Sequence, residues 1–425
     1  MEKTDNFLWG SATSAHQVEG NNVLSDWWEW ESLGRVKEAS GLACDHYRRF
    51  KEDFEITKNL GHNAHRFSLE WSRLEPEEGR WDEAAWGHYK EVAATLKGLG
   101  IEPMVTLNHF TLPAWFNKKG GWLDRASGER FRRFAKKSVE ALGKDVLYWI
   151  TINEPMVYAA CSYYMGKWPP GTADYKSTFR VIENMIRAHC LAYQIMHQAS
   201  GLLFPEKRIQ VGIAKNLYIF DPYNSASAAD RAAAFMRHRF YNHLFLSCAI
   251  SGRILFPGFR PVSLPAGNTL DFIGCNYYSR QYIRFAGIGM PDCLGKDSGS
   301  PEDRAQGMWK NYLGWEVYPE GLYILLKDIA RYGLPIIVTE NGICATDDKD
   351  RIKFIEKHLD SLFKAKTEGV PIFGYLYWSL LDNFEWSDGY GPRFGLVEVD
   401  YKTQERKVRQ SAFFYSQYIK RILQG

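Results

Sequence analysis

No apolar run in the 425-residue chain approaches the ~18 residues of a membrane-spanning helix, so no partnership with a membrane is expected. Met1 to Gly10 carries only Phe7, Leu8 and Trp9 as an apolar stretch, which is too little for a signal peptide. Asn-x-Ser/Thr sequons are absent, as is any Cys-x-x-Cys pair. The seven cysteines (Cys44, Cys161, Cys190, Cys248, Cys275, Cys293 and Cys344) are scattered and odd in number. That pattern points to reduced thiols and argues against a zinc site or a disulfide framework. Neither sign of charge dominates, with 53 Lys and Arg against 50 Asp and Glu. The balance removes any general electrostatic case for nucleic acid. No Pro/Ser linker, charge block or low-complexity segment divides residues 1–425, so one domain is expected. These absences together describe a soluble, cytoplasmic protein.

The chain is rich in aromatic residues, with 15 Trp, 24 Tyr and 25 Phe. Most such rings pack cores. Flat aromatics also stack against the C–H faces of sugars, so this richness leans toward a carbohydrate ligand.

A repeated unit organises the sequence. Leu322, Leu325, Leu326 and Ile329 fall at helical spacing, Gly333 stands where a left-handed cap belongs, and Leu334 to Thr339 reads as a buried strand. Ile352, Ile355, Leu359, Leu362 and Phe363 repeat the helical stripe before Gly369 and a strand over Ile372 to Trp378. Upstream, helices ending near Gly61, Gly100 and Gly143 lead into Ala64 to Leu69, Ile101 to Leu107 and Val146 to Ile152. Further strands are expected at Phe7 to Ala12, Ile209 to Ala214 and Phe272 to Asn276. Eight helix-connected strands suit a single-domain (β/α)8 barrel with long βα loops at its C-terminal face. An open doubly wound sheet fits less well, because no Gly-rich phosphate loop follows the first strand.

Such barrels place their chemistry where the strands end. Here the ends read Arg66-Phe67-Ser68, Asn108-His109, Asn153-Glu154-Pro155, Asn276-Tyr277-Tyr278, Glu340-Asn341-Gly342 and Trp378-Ser379, with Glu385-Trp386 following. A lone glutamate after a strand is usually a solvated loop residue, a lone Arg66 an ion pair, and a lone His109 a core histidine. Their convergence on one mouth is harder to explain in that way. Two facing carboxyls suit cleavage of a glycosidic bond. Metal hydrolysis fits less well, because no His/Asp set with ligand spacing accompanies them. A Schiff-base aldolase would need a lysine at a strand end, and none is read there.

Phe7-Leu8-Trp9-Gly10-Ser11-Ala12-Thr13-Ser14-Ala15-His16-Gln17-Val18-Glu19-Gly20 resembles the N-terminal signature of family-one glycoside hydrolases, the β-glucosidase/β-galactosidase family. Thr151-Ile152-Asn153-Glu154-Pro155 resembles that family's acid/base motif and Val338-Thr339-Glu340-Asn341-Gly342 its nucleophile motif. Trp378 to Trp386 and Arg393 to Leu396 are similar to its sugar-binding loops, and the matches run in order along nearly the whole chain.

The resemblance implies a retaining β-glycosidase, most simply a β-glucosidase that also takes β-fucosides and β-galactosides. Glu340 is then the nucleophile and Glu154 the acid/base. Arg66 and Tyr278 hold Glu340, and Asn276 supports them. Asn153 meets the sugar 2-hydroxyl, while Gln17, His109, Glu385 and Trp386 meet the other hydroxyls. Trp378 is the stacking platform, and Trp315 and Phe394 shape the pocket. Acid, base and nucleophile are all side chains, so no metal or organic cofactor is implied, and the ligands are small β-glycosides or short oligosaccharides. A 6-phospho-β-glycosidase and a non-catalytic carbohydrate-binding relative are the alternatives. Both glutamates are present, which speaks against the second; a carboxylate at Glu385, which would repel a phosphate, speaks against the first. Phe110 and Met156 stand where many members carry tryptophan, and they bear on the choice of sugar.

Overall fold

Short β-branched runs flanked by amphipathic helices must bury both faces of each strand, and that requirement shapes the architecture. A computed structural model describes residues 7–256, 261–301 and 307–424. Residues 1–6, read above for a signal peptide, lie outside the described residues. The principal strands are β1 (Leu8–Ala12), β2 (Ala64–Ser68), β3 (Glu102–Asn108), β4 (Tyr148–Asn153), β5 (Gln210–Pro222), β6 (Phe272–Arg284), β7 (Ile336–Asn341) and β8 (Ile372–Trp378). Each pairs in parallel with the next, and β8 closes onto β1 from Leu8↔Gly374 to Ala12↔Trp378. The result is the expected closed (β/α)8 barrel.

Side-chain alternation sorts the strands into an inner and an outer face. Inside, Leu8, Ala64, Met104, Ile150, Ala214, Phe272, Ile337 and Leu376, one from each strand, form an apolar floor. Outward, Ile336 and Val338 of β7 share the main core with Leu322, Leu325, Leu326 and Ile329 of helix Pro319–Ile329. Gly333 (φ 68°) and Gly369 (φ 89°) turn the chain from helix to strand in the left-handed region, where a β-carbon would be strained.

The strand bounds differ from the sequence reading in informative ways. β7 starts at Ile336 rather than Leu334, because Pro335 has no N–H to give the ladder. β5 and β6 run 13 residues each, well past Ala214 and Asn276. They go on pairing with each other as far as Pro222↔Ile283, and Ala233 and Ala234 of helix Ala228–His238 cover Phe220 and Ile283.

Two irregularities reset the alternation near the mouth. Between Ile150 and Asn153, β4 spends one more residue than its neighbour β5 does between Gly212 and Ala214. Between Val338 and Glu340, β7 spends one more than β6 does between Cys275 and Asn276. An extra residue flips the side chains that follow it, so both bulges re-aim the strand ends that carry the glutamates.

Candidate active site

Above the apolar floor the barrel interior turns polar. Arg66, with no solvent exposure, is the hub of this layer. Its Nε donates to Thr106 Oγ1 (2.9 Å), Nη2 to Asn153 Oδ1 (2.7 Å), and Nη1 to Glu340 Oε1 (2.6 Å) and to the Thr339 carbonyl (3.3 Å). A buried guanidinium is tolerable when its N–H groups are used in this way. Tyr278 donates its hydroxyl to the other Glu340 oxygen at 2.6 Å. One carboxylate is therefore held by a cation and a phenol.

Glu154 is held differently. Its backbone stands in the left-handed region (φ 45°, ψ 56°), pinned by its N–H to the Ala214 carbonyl at 2.8 Å and by Pro155 opening the next helix. Such a conformation costs a non-glycine residue on the order of 1–3 kcal/mol and persists only where the surroundings enforce it. Asn276 Nδ2 (2.8 Å) and Asn216 Nδ2 (3.1 Å) both donate to Glu154 Oε1. Asn276 is itself oriented by the Thr339 hydroxyl, which donates to its Oδ1 at 2.6 Å.

Burial raises the pKa of Glu154, the negative charge of Glu340 raises it further, and together they bring it to about 7. Burial also raises Glu340, outweighing Arg66 and Tyr278, which pull the other way. The arginine therefore offsets desolvation rather than simply holding Glu340 ionised, as the motif alone suggests. With the cation beside Glu340 and only amides bonded to Glu154, a proton shared by the pair resides on Glu154.

A cleft of about 630 Å³ opens over these groups. Gln17, His109, Asn153, Glu154, Tyr278, Trp315, Glu340, Trp378, Glu385, Trp386 and Phe394 all line it. Of the thirteen residues expected from the motifs, only Arg66 and Asn276 lie beneath the lining, bonded to residues that form it. Asn153 Oδ1 accepts from Arg66 and Asn276, so its Nδ2 donates to His109 Nε2 at 3.1 Å. This assigns the ring proton of His109 to Nδ1, which has no hydrogen-bond partner among the described residues. Burial and the nearby Arg66 keep that imidazole neutral, well below its ordinary pKa.

Gln17 Nε2 donates to Phe384 O (2.8 Å), Asn383 Oδ1 (3.0 Å) and Glu385 Oε2 (3.2 Å). An outward Glu385 would pair with Arg393, but Arg393 bonds Asp382 Oδ2 at 3.1 Å instead. Burial raises the pKa of Glu385 to about 8, with Glu340 and then Asp388 adding to it. The carboxylate expected to repel a phosphate is accordingly largely protonated near neutral pH. Phe110 joins the cleft wall, 4.9 Å from Trp168 and 5.2 Å from Trp386 between ring centroids. Met156 faces a separate apolar cavity behind the wall.

Two features of the site have no counterpart among the motifs. Asn216 and Lys215 lie in β5 beyond Ala214, where the fifth strand was expected to stop. Lys215 sits within the strand rather than at its end, and it does not line the cleft. Among the described residues one group could hold a metal, His238, His243 and Asp328, with Nε2 and Oδ2 atoms 2.8–3.3 Å apart. It lies in the helical layer and includes neither glutamate. All seven cysteines are free, and no described helix is long and apolar enough to cross a membrane.

The family model described as Glycosyl hydrolase family 1 matches residues 2–258 and 263–422. Beta-glucosidase A of Thermotoga maritima is 37% identical, over 98% of this chain and 97% of its own length. Among solved structures, a beta-glycosidase from Pyrococcus horikoshii superposes with a TM-score of 0.89 at 41% identity, covering 98% of this chain and 95% of that one. A beta-glucosidase from Thermotoga maritima in complex with castanospermine gives a TM-score of 0.87 at 34% identity, with 98% of each chain covered.

Proposed function

The chain belongs to glycosyl hydrolase family 1 and is a glycoside hydrolase, and from that premise we propose that it is a retaining β-glucosidase with Glu340 as nucleophile and Glu154 as acid/base. The observation that carries this reading is the asymmetry of the two buried carboxyls. Glu340 faces a cation and a phenol, whereas Glu154 faces amides and rises to about 7.

In the first step, ionised Glu340 attacks the anomeric carbon while Glu154 passes its proton to the departing glycosidic oxygen. Forming the glycosyl ester removes the charge on Glu340 that helped raise Glu154. The acid/base, left as a carboxylate, takes a proton from the water that attacks the anomeric carbon, and the ester bond breaks to release Glu340 as a carboxylate. Arg66 and Tyr278 favour the ionised nucleophile, and Asn276 orients the acid/base. Around the sugar, Asn153 serves the 2-hydroxyl, and His109, Gln17, Glu385 and Trp386 serve the others. Trp378 supplies the stacking face, and Trp315 and Phe394 close the pocket. Relatives named as β-glucosidases support glucose as the sugar, and β-fucosides and β-galactosides are further proposed substrates. No step calls on a metal or organic cofactor, and the proposed compartment is the cytoplasm.

Proton NMR of the first-formed sugar tests the mechanism. Hydrolysis of an aryl β-glucoside is expected to release β-glucose before mutarotation, and α-glucose as the first product would overturn it. Specificity constants across aryl β-glucosides, fucosides, galactosides and mannosides test the sugar.

A further inference from the structure

The least expected buried charge in the molecule lies behind the acid/base. Lys215, with no solvent exposure, belongs to β5, paired with Cys275 of β6. Its ammonium donates to the Asn216 carbonyl and stands 4.3 Å from the centre of the Tyr241 ring. Among the described residues no carboxylate forms an ion pair with it. Tyr241 in turn donates its hydroxyl to Asn216 Oδ1 at 3.1 Å, and Asn216 Nδ2 reaches Glu154 Oε1 at 3.1 Å. Cation, ring, amide and carboxyl thus form one continuous buried contact.

Burying a lysine without a carboxylate ion-pair partner is costly, and here a carbonyl and a π face in direct contact offset part of that cost. We propose that Lys215 is a positioning residue for the reaction: its buried positive charge, behind Asn216, favours the ionised form of Glu154 and so prepares it to act as base in the second step. The proposal rests on the reading of Glu154 as acid/base.

Electrostatics within the two steps give the cation its use. While Glu340 is ionised, its charge opposes that of Lys215 and Glu154 holds its proton. Once Glu340 is esterified, the opposition is gone and Lys215 remains, drawing Glu154 toward the carboxylate. Burial lowers the pKa of Lys215, the charge of Glu154 draws it partly back, and the balance lies at about 7, so the two groups titrate in one range. The other titratable groups around them are few. Cys275 faces Lys215, and Cys161, Tyr218, Tyr241 and Tyr278 feel Glu154; burial raises the pKa of all five and keeps them neutral. Glu340 also acts on Glu154 by its charge, and Glu385 feels both glutamates from across the cleft.

The test follows Glu154 directly, by NMR titration of ¹³C-labelled glutamate carboxyls, together with the pH profile of kcat/KM for an aryl β-glucoside. Lys215→Met is expected to raise the Glu154 midpoint and the alkaline limb together by roughly 0.5–1 pH unit, modest for an opposite charge nearby. Lys215→Arg, which keeps the charge, should hold both at or below the wild-type pH, a result that lost packing alone would not give. Lys215→Gln replaces Lys215→Met if the latter does not fold. An unmoved Glu154 titration in the neutral variant overturns the proposal. A moved titration with an unmoved alkaline limb overturns the reading of Glu154 as acid/base, so the two failures are distinguishable.

Discussion

The ends of β4 and β7 leave the barrel by the same device and deliver their glutamates into opposite surroundings. Each strand carries one extra residue just below its glutamate, and each carboxyl is almost wholly buried. Beyond that the two differ. Glu340 stays within its strand and is gripped by Arg66 and Tyr278; Glu154 stands in left-handed backbone and is touched by two amides. Burial alone pushes both toward the neutral acid, and the partners decide which one keeps the proton. The lesson is that the bulge aims a carboxyl, whereas the neighbouring strands set its chemistry. Arg66 comes from β2, Tyr278 and Asn276 from β6, and Asn216 from β5.

Removing each carboxyl is the bluntest way to break this comparison. Glu340→Gly leaves no nucleophile, and kcat is expected to fall on the order of 10⁴–10⁶-fold. Azide, entering the vacated face, should restore turnover and give the α-glycosyl azide. Glu154→Ala should cost about 10²–10⁴-fold for poor leaving groups, the scale of general acid catalysis, and far less for the first step of activated aryl glycosides. Azide rescue of that variant should give the β-azide. Product configuration by NMR checks both, and an α-azide from the Glu154 variant would reverse the assignments.

The partners of Glu340 sharpen the comparison. Tyr278→Phe removes one charge-assisted hydrogen bond, worth about 1.5–3 kcal/mol and so roughly 10–100-fold in kcat/KM. The sign of the pH effect follows from the same bond. Tyr278 helps hold the Glu340 pKa down, so its loss raises the pKa and moves the acid limb of the profile to higher pH. An acid limb unchanged in this variant would mean that the ionisation of Glu340 does not set it.

Much of this was legible in the sequence because it is local. The helix–glycine–strand unit carries its own periodicity, and the strand ends carry Arg66, Asn153, Glu154, Asn276, Tyr278 and Glu340 in short motifs. The parts that were not legible depend on pairing between distant strands. Ending the fifth strand at Ala214 hides Asn216 and Lys215, and only the long β5–β6 pairing shows that the strand continues. The bulges are likewise invisible, since an extra residue exists only relative to a partner strand. Desolvation is the third gap. A motif shows that Arg66 accompanies Glu340, but not that full burial outweighs the attraction.

Glu385 offers the smallest and most discriminating test, because it is a third buried carboxyl in the same cleft and resembles Glu154 more than Glu340. Burial and the charges of Glu340, Asp388 and Glu154 raise it to about 8, and the Gln17 amide opposes them. Read as a fixed carboxylate, it should reject a 6-phosphorylated sugar by like-charge repulsion at every pH. Read from its surroundings, it is mostly protonated at pH 6 and ionised above pH 8, so repulsion should appear only on the alkaline side. Glutamine imitates the protonated form in shape and donates where that form donates. Glu385→Gln is therefore expected to change kcat/KM for an aryl β-glucoside at pH 6 only a few-fold, about the ~1 kcal/mol net worth of one altered hydrogen bond. The penalty should widen above pH 8, where the wild type gains a charge-assisted acceptor that the amide cannot match. The ratio of specificity constants for the glucoside and its 6-phosphate, measured in both proteins at pH 6 and 8.5, checks this. Equal ratios for the two proteins at pH 6 and a higher wild-type preference for the unphosphorylated sugar at pH 8.5 are expected. A large difference already at pH 6 would show that Glu385 is ionised there and belongs, electrostatically, with Glu340.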